Sequence, residues 1–217
     1  AQGRKIIIPL SAGLDSRLII SGLYKFNYKN VKCFSYGLKD NFESVTAKKI
    51  AKKLGYEYEF VQINYKKAKY FFKSAAFKKY LNFTNDGMSV PTIHSLYALD
   101  HLIKNKFIKK NDIIINGNSG DFISGGHIPK TMKYKHSKSQ DIKSLFNNIF
   151  NDHYSKHYSL WKSLKNKYNK KIIKEALYNQ LHSTVKVKKN LTEYGILEFL
   201  EYENRQTKYV VNCQRIY

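Results

Sequence analysis

Two serines, a glycine and an aspartate stand between two apolar runs in the stretch IIIPLSAGLDSRLII, residues 6–20. Gly13 allows backbone conformations that other residues avoid, and its small neighbours let amide groups approach an anion directly. The helix expected after the loop points its N-terminal amides, and the positive end of its dipole, back at the same place. Residues of these types in this order predict a binding site for phosphate groups.

Asp15 distinguishes this loop from the Walker type, which requires GxxxxGK followed by Ser or Thr. A carboxylate repels a polyphosphate unless a divalent cation lies between them, so Asp15 predicts Mg²⁺, which prefers oxygen ligands. Ser11 and Ser16 would add hydroxyl donors. A structural alternative stays open at this point: Asp15 or Ser16 caps the helix, and Gly13 only makes a turn.

The elements around this loop alternate between strands and helices. Apolar runs typical of buried parallel strands occupy residues 5–9, 31–36, 58–63 and 112–115. Helical patterns occupy residues 16–24, 43–54, 66–80 and 92–107. This alternation predicts an α/β fold with a doubly wound parallel sheet. Ligands of such sheets bind at the carboxyl ends of the strands, where the loops opening at Leu10, Gly37 and Asn116 would meet.

The amino-acid composition changes after Pro129, where Lys, Asn, Ser and His become frequent. Mostly helices are expected in this part of the chain. We therefore expect a single domain over residues 1–217, with an α/β core at 1–129 and a mostly helical extension at 130–217. Residues 191–204 predict one amphipathic helix in that extension. Its polar side would carry four glutamates, which are Glu193, Glu198, Glu201 and Glu203.

Composition limits the class of protein. The chain has 217 residues, of which 42% are hydrophobic, enough for a sizeable core. No apolar run reaches the roughly 20 residues that span a bilayer, and no signal peptide precedes the first strand, so a cytoplasmic protein is expected. A net charge of +23 is compatible with a nucleic-acid partner, but lysines spread along the whole chain also fit a composition bias, and both interpretations stay open.

Cysteine and histidine patterns predict no further metal site. Cys33 and Cys213 have no CxxC spacing and no histidine neighbour, which predicts reduced thiols rather than a disulfide or a zinc site. The seven histidines show no HExxH or HxH spacing, so nitrogen ligands to a metal are not expected.

Four segments, taken in order, resemble the asparagine synthetase type of the adenine-nucleotide alpha-hydrolase, or ATP pyrophosphatase, superfamily. S-x-G-x-D-S resembles the pyrophosphate loop of that superfamily. FSYGL, followed by ESVTAKKIAKKLG, resembles its second strand and the helix beside the adenine. INGNSGDFISGGHIP is similar to the segment Ser-Gly-Glu-Gly-x-Asp-Glu-x-Phe-Gly-Gly, and the final ENRQTKYVVNCQRIY is a looser match.

The resemblance implies that the core binds ATP and Mg²⁺. The pyrophosphate would be held by the residues of the first loop, which are Ser11, Gly13, Asp15 and Ser16. The adenosine would be contacted at the ends of three strands, by Leu10, Tyr36, Asn116 and Gly117. Asp121 falls where the family places its second magnesium carboxylate.

The resemblance further implies an amide-forming ligase, in which a carboxylate is adenylated, pyrophosphate is released and ammonia displaces AMP. Asn118 departs from the pattern, because the family has a glutamate there that acts as general base, and an amide takes no proton at neutral pH. Ordinary asparagine synthesis is therefore not expected: either another group takes the proton, or the nucleophile and acceptor differ. The segment NGNSGDFISGGHIP resembles the same segment in divergent relatives from bacterial surface-polysaccharide biosynthesis. This resemblance implies that the acceptor is a sugar carboxylate.

Two pieces of the family pattern are missing from these 217 residues, the amino-terminal glutaminase and a downstream lysine. We therefore expect a fragment of a longer chain, with a glutaminase subunit or domain as the source of ammonia. Two other functions stay open at this point. One is a tRNA-modifying ATP pyrophosphatase that performs thiolation or lysine ligation, and the other is a nucleotide-binding module without catalysis.

Overall fold

The structure is a computed structural model that describes residues 1–85, 87, 89, 92–129, 138–139, 141–184 and 191–217. The chain divides into two compact units. The first comprises Ala1–Gly120 together with Tyr209–Tyr217, and the second comprises Asp121–Lys208. The last nine residues therefore belong with the first unit, although they follow the second in sequence.

Four parallel strands form the sheet of the first unit. They are β1 (Ile6–Pro9), β2 (Val31–Gly37), β3 (Glu57–Gln62) and β4 (Ile113–Ile114). The strand order is β3–β2–β1–β4, with β1 paired to β2 on one side and to β4 on the other. The order reverses at β1, so the crevice between the carboxyl ends of β1 and β4 is the place where such sheets bind ligands. The predicted parallel α/β sheet is confirmed.

Helices connect these strands and follow them. They are α1 (Leu14–Lys25), α2 (Phe42–Leu54), α3 (Tyr65–Phe71), α4 (Ala75–Thr84), α5 (Leu96–Lys104), the short α6 (Gly120–Ile123) and, at the carboxyl end, α10 (Val211–Gln214). Gly55 ends α2 in the left-handed conformation, with φ +74°. The single helix predicted over residues 66–80 is wrong. It is two helices, because the Ser74 hydroxyl accepts a hydrogen bond from the Phe77 amide and starts a new helix there.

Apolar side chains cover both faces of the sheet. Ile6 and Ile8 of β1 pack with a group that includes Ile20 of α1 and both Ala47 and Ala51 of α2. Ile7, which points the other way, packs with Phe34 of β2 and with Ala98, Leu99 and Leu102 of α5. Alternate residues of a strand face opposite sides of a sheet, so a fully apolar β1 requires helices on both faces. The doubly wound arrangement follows from this.

Helices dominate the second unit, as expected. They are α7 (Ile142–His157), a 3₁₀ segment (Ser159–Leu164), α8 (Lys167–Thr184), α9 (Glu193–Glu201) and a π-helical segment (Tyr202–Val210). Two short strands, β5 (Lys138–Ser139) and β6 (Leu191–Thr192), pair antiparallel. The core contains Phe146, Ile149 and Phe150 of α7, with Leu181 of α8 and Leu200 of α9. None of the helices in the described ranges is long and apolar enough to cross a bilayer.

The helix predicted over residues 191–204 differs from α9 in its bounds and in its faces. Thr192 caps α9 by accepting a hydrogen bond from the Gly195 amide, so the helix begins at Glu193. Two of the four glutamates that we expected on a polar side are buried, since Glu193 is 6% exposed and Glu201 is 1% exposed. Both have polar partners inside the unit, and the Asn148 amide donates to Glu193 at 2.6 Å. The amphipathic spacing of residues 191–204 could not indicate these partners, because they lie in other parts of the chain.

Overpacking should test the close contact between α2 and the sheet. Ala47 is fully buried, so Ala47→Leu adds three carbons where no space exists and should lower the free energy of unfolding by about 1–3 kcal/mol. The midpoint of urea unfolding measures this change. Lys48→Leu, on the exposed side of the same helix, is the matched control and should leave the midpoint nearly unchanged. Equal midpoints for the two variants would show that α2 does not pack as described.

Candidate functional site

The loop between β1 and α1 presents the start of a helix without a side-chain cap. Gly13 is the N-cap residue, in an extended conformation with φ −66° and ψ 157°, and no side chain hydrogen-bonds to the first turn. Helix α1 begins at Leu14, so Asp15 and Ser16 lie inside the first turn. The alternative in which Asp15 or Ser16 caps the helix is therefore wrong. The first amides of a helix have no partner within it, so this end of α1 can receive an anion.

Hydroxyl groups hold the loop in shape. The Ser11 amide donates to the Ser16 hydroxyl at 3.2 Å, and the two hydroxyl oxygens are also 3.2 Å apart. The Gly13 amide donates to the Ser11 hydroxyl at 3.0 Å. Ser16 is buried, whereas Gly13 is exposed. The loop is thus preorganised by its own side chains, which reduces the entropy that a ligand must remove on binding.

Asp15 is exposed, and its carboxylate has no hydrogen bond or ion pair with any residue of the described part of the chain. A negative charge in the first turn is favourable to the helix dipole, but that effect requires no particular direction of the side chain. An unengaged carboxylate beside a loop that can receive an anion fits a divalent cation, because Mg²⁺ takes one or two protein carboxylates and completes its shell with water and phosphate oxygens.

The loop after β4 approaches Asp15 so closely that only glycine fits at two positions. A Cβ atom on Gly117 would lie 2.7 Å from the Cβ of Asp15 and 3.1 Å from the Ser16 amide nitrogen. A Cβ atom on Gly120 would lie 2.6 Å from the Asp15 carboxyl carbon and would also clash with Oδ1. These separations are shorter than van der Waals contact. The backbone of the second loop therefore forms one wall around the carboxylate.

Asn116 fixes the second loop. Its side-chain oxygen accepts a hydrogen bond from the Asn118 amide at 3.0 Å, and its side-chain nitrogen donates to Gln214 Oε1 at 2.6 Å. Ser119 adopts φ +74°, a left-handed conformation that glycine favours and other residues rarely take. Such a conformation persists only where the surrounding structure holds it. Asn118, between these residues, has an exposed side chain.

A cavity of 250 Å³ lies where the two loops meet. Seven of its nine lining residues are ones that the sequence singled out, namely Ser11, Gly13, Asp15, Ser16, Asn116, Gly117 and Asn118. Two larger cavities, of 420 and 390 Å³, lie elsewhere in the first unit and contain none of these residues. The smaller cavity is the candidate site, because it lies at the switch point of the sheet and combines loop amides, hydroxyls and a free carboxylate.

Three predicted residues do not line this cavity. Leu10 is buried, and its amide already donates to the Phe34 carbonyl at 2.8 Å, which leaves the Leu10 carbonyl as the group it can offer. Tyr36 is the second-to-last residue of β2, so it lies at the same edge of the sheet. Asp121 is the first residue of the second unit. The ligand roles of these three residues stay predictions.

Tyr217 lines the cavity, and the sequence did not indicate it. Burial around its phenol raises the pKa of Tyr217, while hydrogen bonds with Ser95 and Asn116 act in the opposite direction. Burial also raises the pKa of Tyr36, whose hydroxyl shares Ser95 as a partner. Both phenols therefore stay protonated at neutral pH and can donate hydrogen bonds. The sequence shows the final segment only as a loose match, because its contacts with residues about a hundred positions earlier leave no local pattern.

Two solved structures that match this chain share little sequence with it. The NH3-dependent NAD synthetase from Campylobacter jejuni is 15% identical, with 98% of this chain and 87% of that chain covered and a TM-score of 0.41. A predicted subunit of tRNA methyltransferase from Methanocaldococcus jannaschii is 16% identical, with 53% of each chain covered and a TM-score of 0.31. Both TM-scores are too low to support an argument about this chain. No curated protein matches the sequence.

Comparison with protein families shows the family to which the chain belongs. Residues 2–212 match the family described as asparagine synthase. The match spans both loops of the cavity and nearly all of the 217 residues. The motifs at the ends of β1 and β4 predicted this relationship, and the chain belongs to the asparagine synthase family.

Proposed function

We propose that the chain is an ATP-dependent amide-forming ligase that releases AMP and pyrophosphate. A carboxylate oxygen of the acceptor attacks the α-phosphorus of ATP, the bond from that phosphorus to the bridging oxygen breaks, and pyrophosphate leaves. Ammonia then attacks the acyl carbon, the bond to AMP breaks, and the nitrogen loses a proton. The observation that carries this proposal is the uncapped start of α1 and the unengaged Asp15 carboxylate in one cavity.

The first loop would bind the leaving pyrophosphate. The amides at the start of α1 and the hydroxyls of Ser11 and Ser16 donate to phosphate oxygens, and they lie in a fixed arrangement before the ligand arrives. Asp15 would hold Mg²⁺ at this loop. When bound, Mg²⁺ neutralises charge that develops on the leaving oxygens. Asp15 itself only binds the ion and takes no proton.

The adenosine would lie along the carboxyl ends of the strands. Backbone groups of Leu10 and Tyr36 are proposed contacts on the β1 and β2 side, and Asn116 with Gly117 on the β4 side. The Asn116 side chain is already held by Gln214, so its contribution to the ligand would come from its backbone. A site of this kind recognises the nucleotide mainly through main-chain groups, which makes it tolerant of side-chain changes in the strands.

Asn118 affects which acceptor is expected and how the attacking ammonia loses its proton. An amide cannot accept a proton from the attacking ammonia at neutral pH, so this position contributes no general base. We propose a sugar carboxylate as the acceptor and a glutaminase subunit or domain as the source of ammonia. Solvent or the leaving phosphate would then take the proton.

Pyrophosphate exchange tests the proposal as a whole. Labelled pyrophosphate should enter ATP when Mg²⁺ and a panel of carboxylates, including aspartate and sugar acids, are supplied, because adenylation is reversible. Exchange that requires RNA instead of a small carboxylate would favour the tRNA-modifying alternative. Absence of exchange with every carboxylate and with RNA would favour a nucleotide-binding module.

Asp15→Ala should reduce exchange by at least about 100-fold, because it removes the carboxylate that holds the metal beside the leaving group. The fold should be unchanged, since the side chain is exposed and the change to alanine only removes atoms, and circular dichroism checks this. Glu43→Ala is the matched control, because Glu43 is also an exposed carboxylate in the first turn of a helix that follows a strand. Normal exchange by Asp15→Ala would contradict the metal assignment.

Gly117→Ala should also reduce exchange, by about 100-fold, because its new Cβ would meet Asp15 and displace the carboxylate by an ångström or so. Affinity for ATP in the presence of Mg²⁺, measured by calorimetry, should fall with it. The control is Gly22→Ala in α1, where an added Cβ meets nothing within 4 Å. Equal behaviour of the two alanine variants would show that the second loop does not approach Asp15 in solution.

Asn118→Glu should leave exchange intact and raise ammonia-dependent amide formation on the order of 100-fold, because a positioned carboxylate can act as general base. The assay follows amide formation from whichever carboxylate supports exchange, with aspartate tested beside it. Asn118→Gln has the same length and no basic group, and it should match the unmodified protein. If the Glu and Gln variants have the same rate, proton transfer does not occur at this position.

A further inference from the structure

A second group of ligand-type side chains lies wholly within the second unit. His153 and His157 are one turn apart on α7, and Glu201 is the last residue of α9. One ligand atom from each of the three lies within 4.8 Å of the other two. A point therefore exists within about 2.8 Å of all three atoms, and small side-chain rotations would bring them to the roughly 2.1 Å at which Zn²⁺ is bound.

His153 supplies an independent sign that something is bound there. It is 2% exposed, and neither of its ring nitrogens has a hydrogen-bond partner among the described residues. A buried polar atom without a partner is unfavourable, and such atoms in native proteins commonly mark an ion or a buried water. The ring of His157 lies beside it at a tilt, with ring centres 4.4 Å apart, so the second histidine is within reach of the same ligand.

Glu201 is held as a carboxylate with one oxygen facing the histidines. Its Oε1 accepts from Arg205 at 3.0 Å and lies 3.6 Å from the Lys156 amine, while Oε2 lies 2.8 Å from His157 Nε2. Burial raises the pKa of Glu201, but the hydrogen bonds with His157 and Arg205 and the charge of Lys156 outweigh it and lower the pKa to about 2. Arg205 thus orients the carboxylate so that Oε2 lies beside His157.

We propose that His153, His157 and Glu201 form a binding site for Zn²⁺. Two imidazoles and one carboxylate with a fourth position for water are a ligand set that zinc accepts, whereas Mg²⁺ and Ca²⁺ require oxygen ligands. Two imidazoles four residues apart project from the same face of a helix, so the pair needs no rearrangement of α7. The contacts of Glu201 with Arg205 and Lys156 add positive charge nearby and make the site weaker than a closed structural site.

Zinc titration tests this proposal without any assay of activity. Protein that carries no histidine tag and has been stripped with a chelator should bind one Zn²⁺ per chain in calorimetry, and Zn²⁺ should raise its melting temperature. His153→Gln and His157→Gln should each weaken binding at least 10-fold. His182→Gln, which removes an exposed histidine of α8, is the matched control and should bind as tightly as the unmodified protein.

Two further measurements make the result specific to these residues. Co²⁺ in place of Zn²⁺ should give visible absorption bands typical of a tetrahedral site, and those bands should be lost in His157→Gln, whose partly exposed side chain makes misfolding a small risk. Lys156→Gln should strengthen zinc binding several-fold, because it removes a positive charge beside Glu201. Failure of the unmodified protein to bind Zn²⁺, or equal binding by His153→Gln, would overturn the proposal and assign the unpartnered nitrogens to buried water.

Discussion

The close approach of two loops around Asp15 is the constraint on which the candidate site depends. The first loop follows β1 and the second follows β4, and these strands are neighbours only because the sheet reverses its order there. The absence of side chains at Gly117 and Gly120 lets the second loop reach the carboxylate. Any larger residue at either position would separate the loops, so the cavity depends on the absence of side chains at these two positions.

The side chains that line this cavity do not share the basic character of the chain as a whole. The chain carries a net charge of +23, yet none of the described residues that line the cavity is lysine or arginine. A polyphosphate there would be neutralised by helix amides, hydroxyl groups and a metal ion rather than by basic side chains. Fixed dipoles discriminate by position more sharply than mobile lysine amines do, which suits a reaction in which a particular phosphorus–oxygen bond must break.

The second unit is organised by polar groups as well as by its apolar core. Glu193 and Glu201 both turn inward from α9, and each is held by a side chain of α7. Removing one partner of such a pair would leave an uncompensated buried group, so these contacts specify how the two helices align as much as they stabilise them. The candidate zinc site uses this same alignment, since it takes two ligands from α7 and one from α9.

Local patterns in the sequence were enough to predict the parallel sheet and to single out the loop after its first strand, because strand and helix periodicities and the S-x-G-x-D-S spacing depend only on near neighbours. The cavity residues that follow β4 came from the resemblance to a family. Contacts between distant segments decided the rest. The role of Tyr217, the inward direction of Glu201 and the break at Ser74 each depend on which side chains lie opposite in space. Even the His153 and His157 pair, visible as an i, i+4 spacing, gains a meaning only when Glu201 of α9 lies beside it. Sequence therefore determined the elements and the chemistry they carry, and tertiary structure decided which chemical groups meet, because burial and pairing are properties of the packed chain.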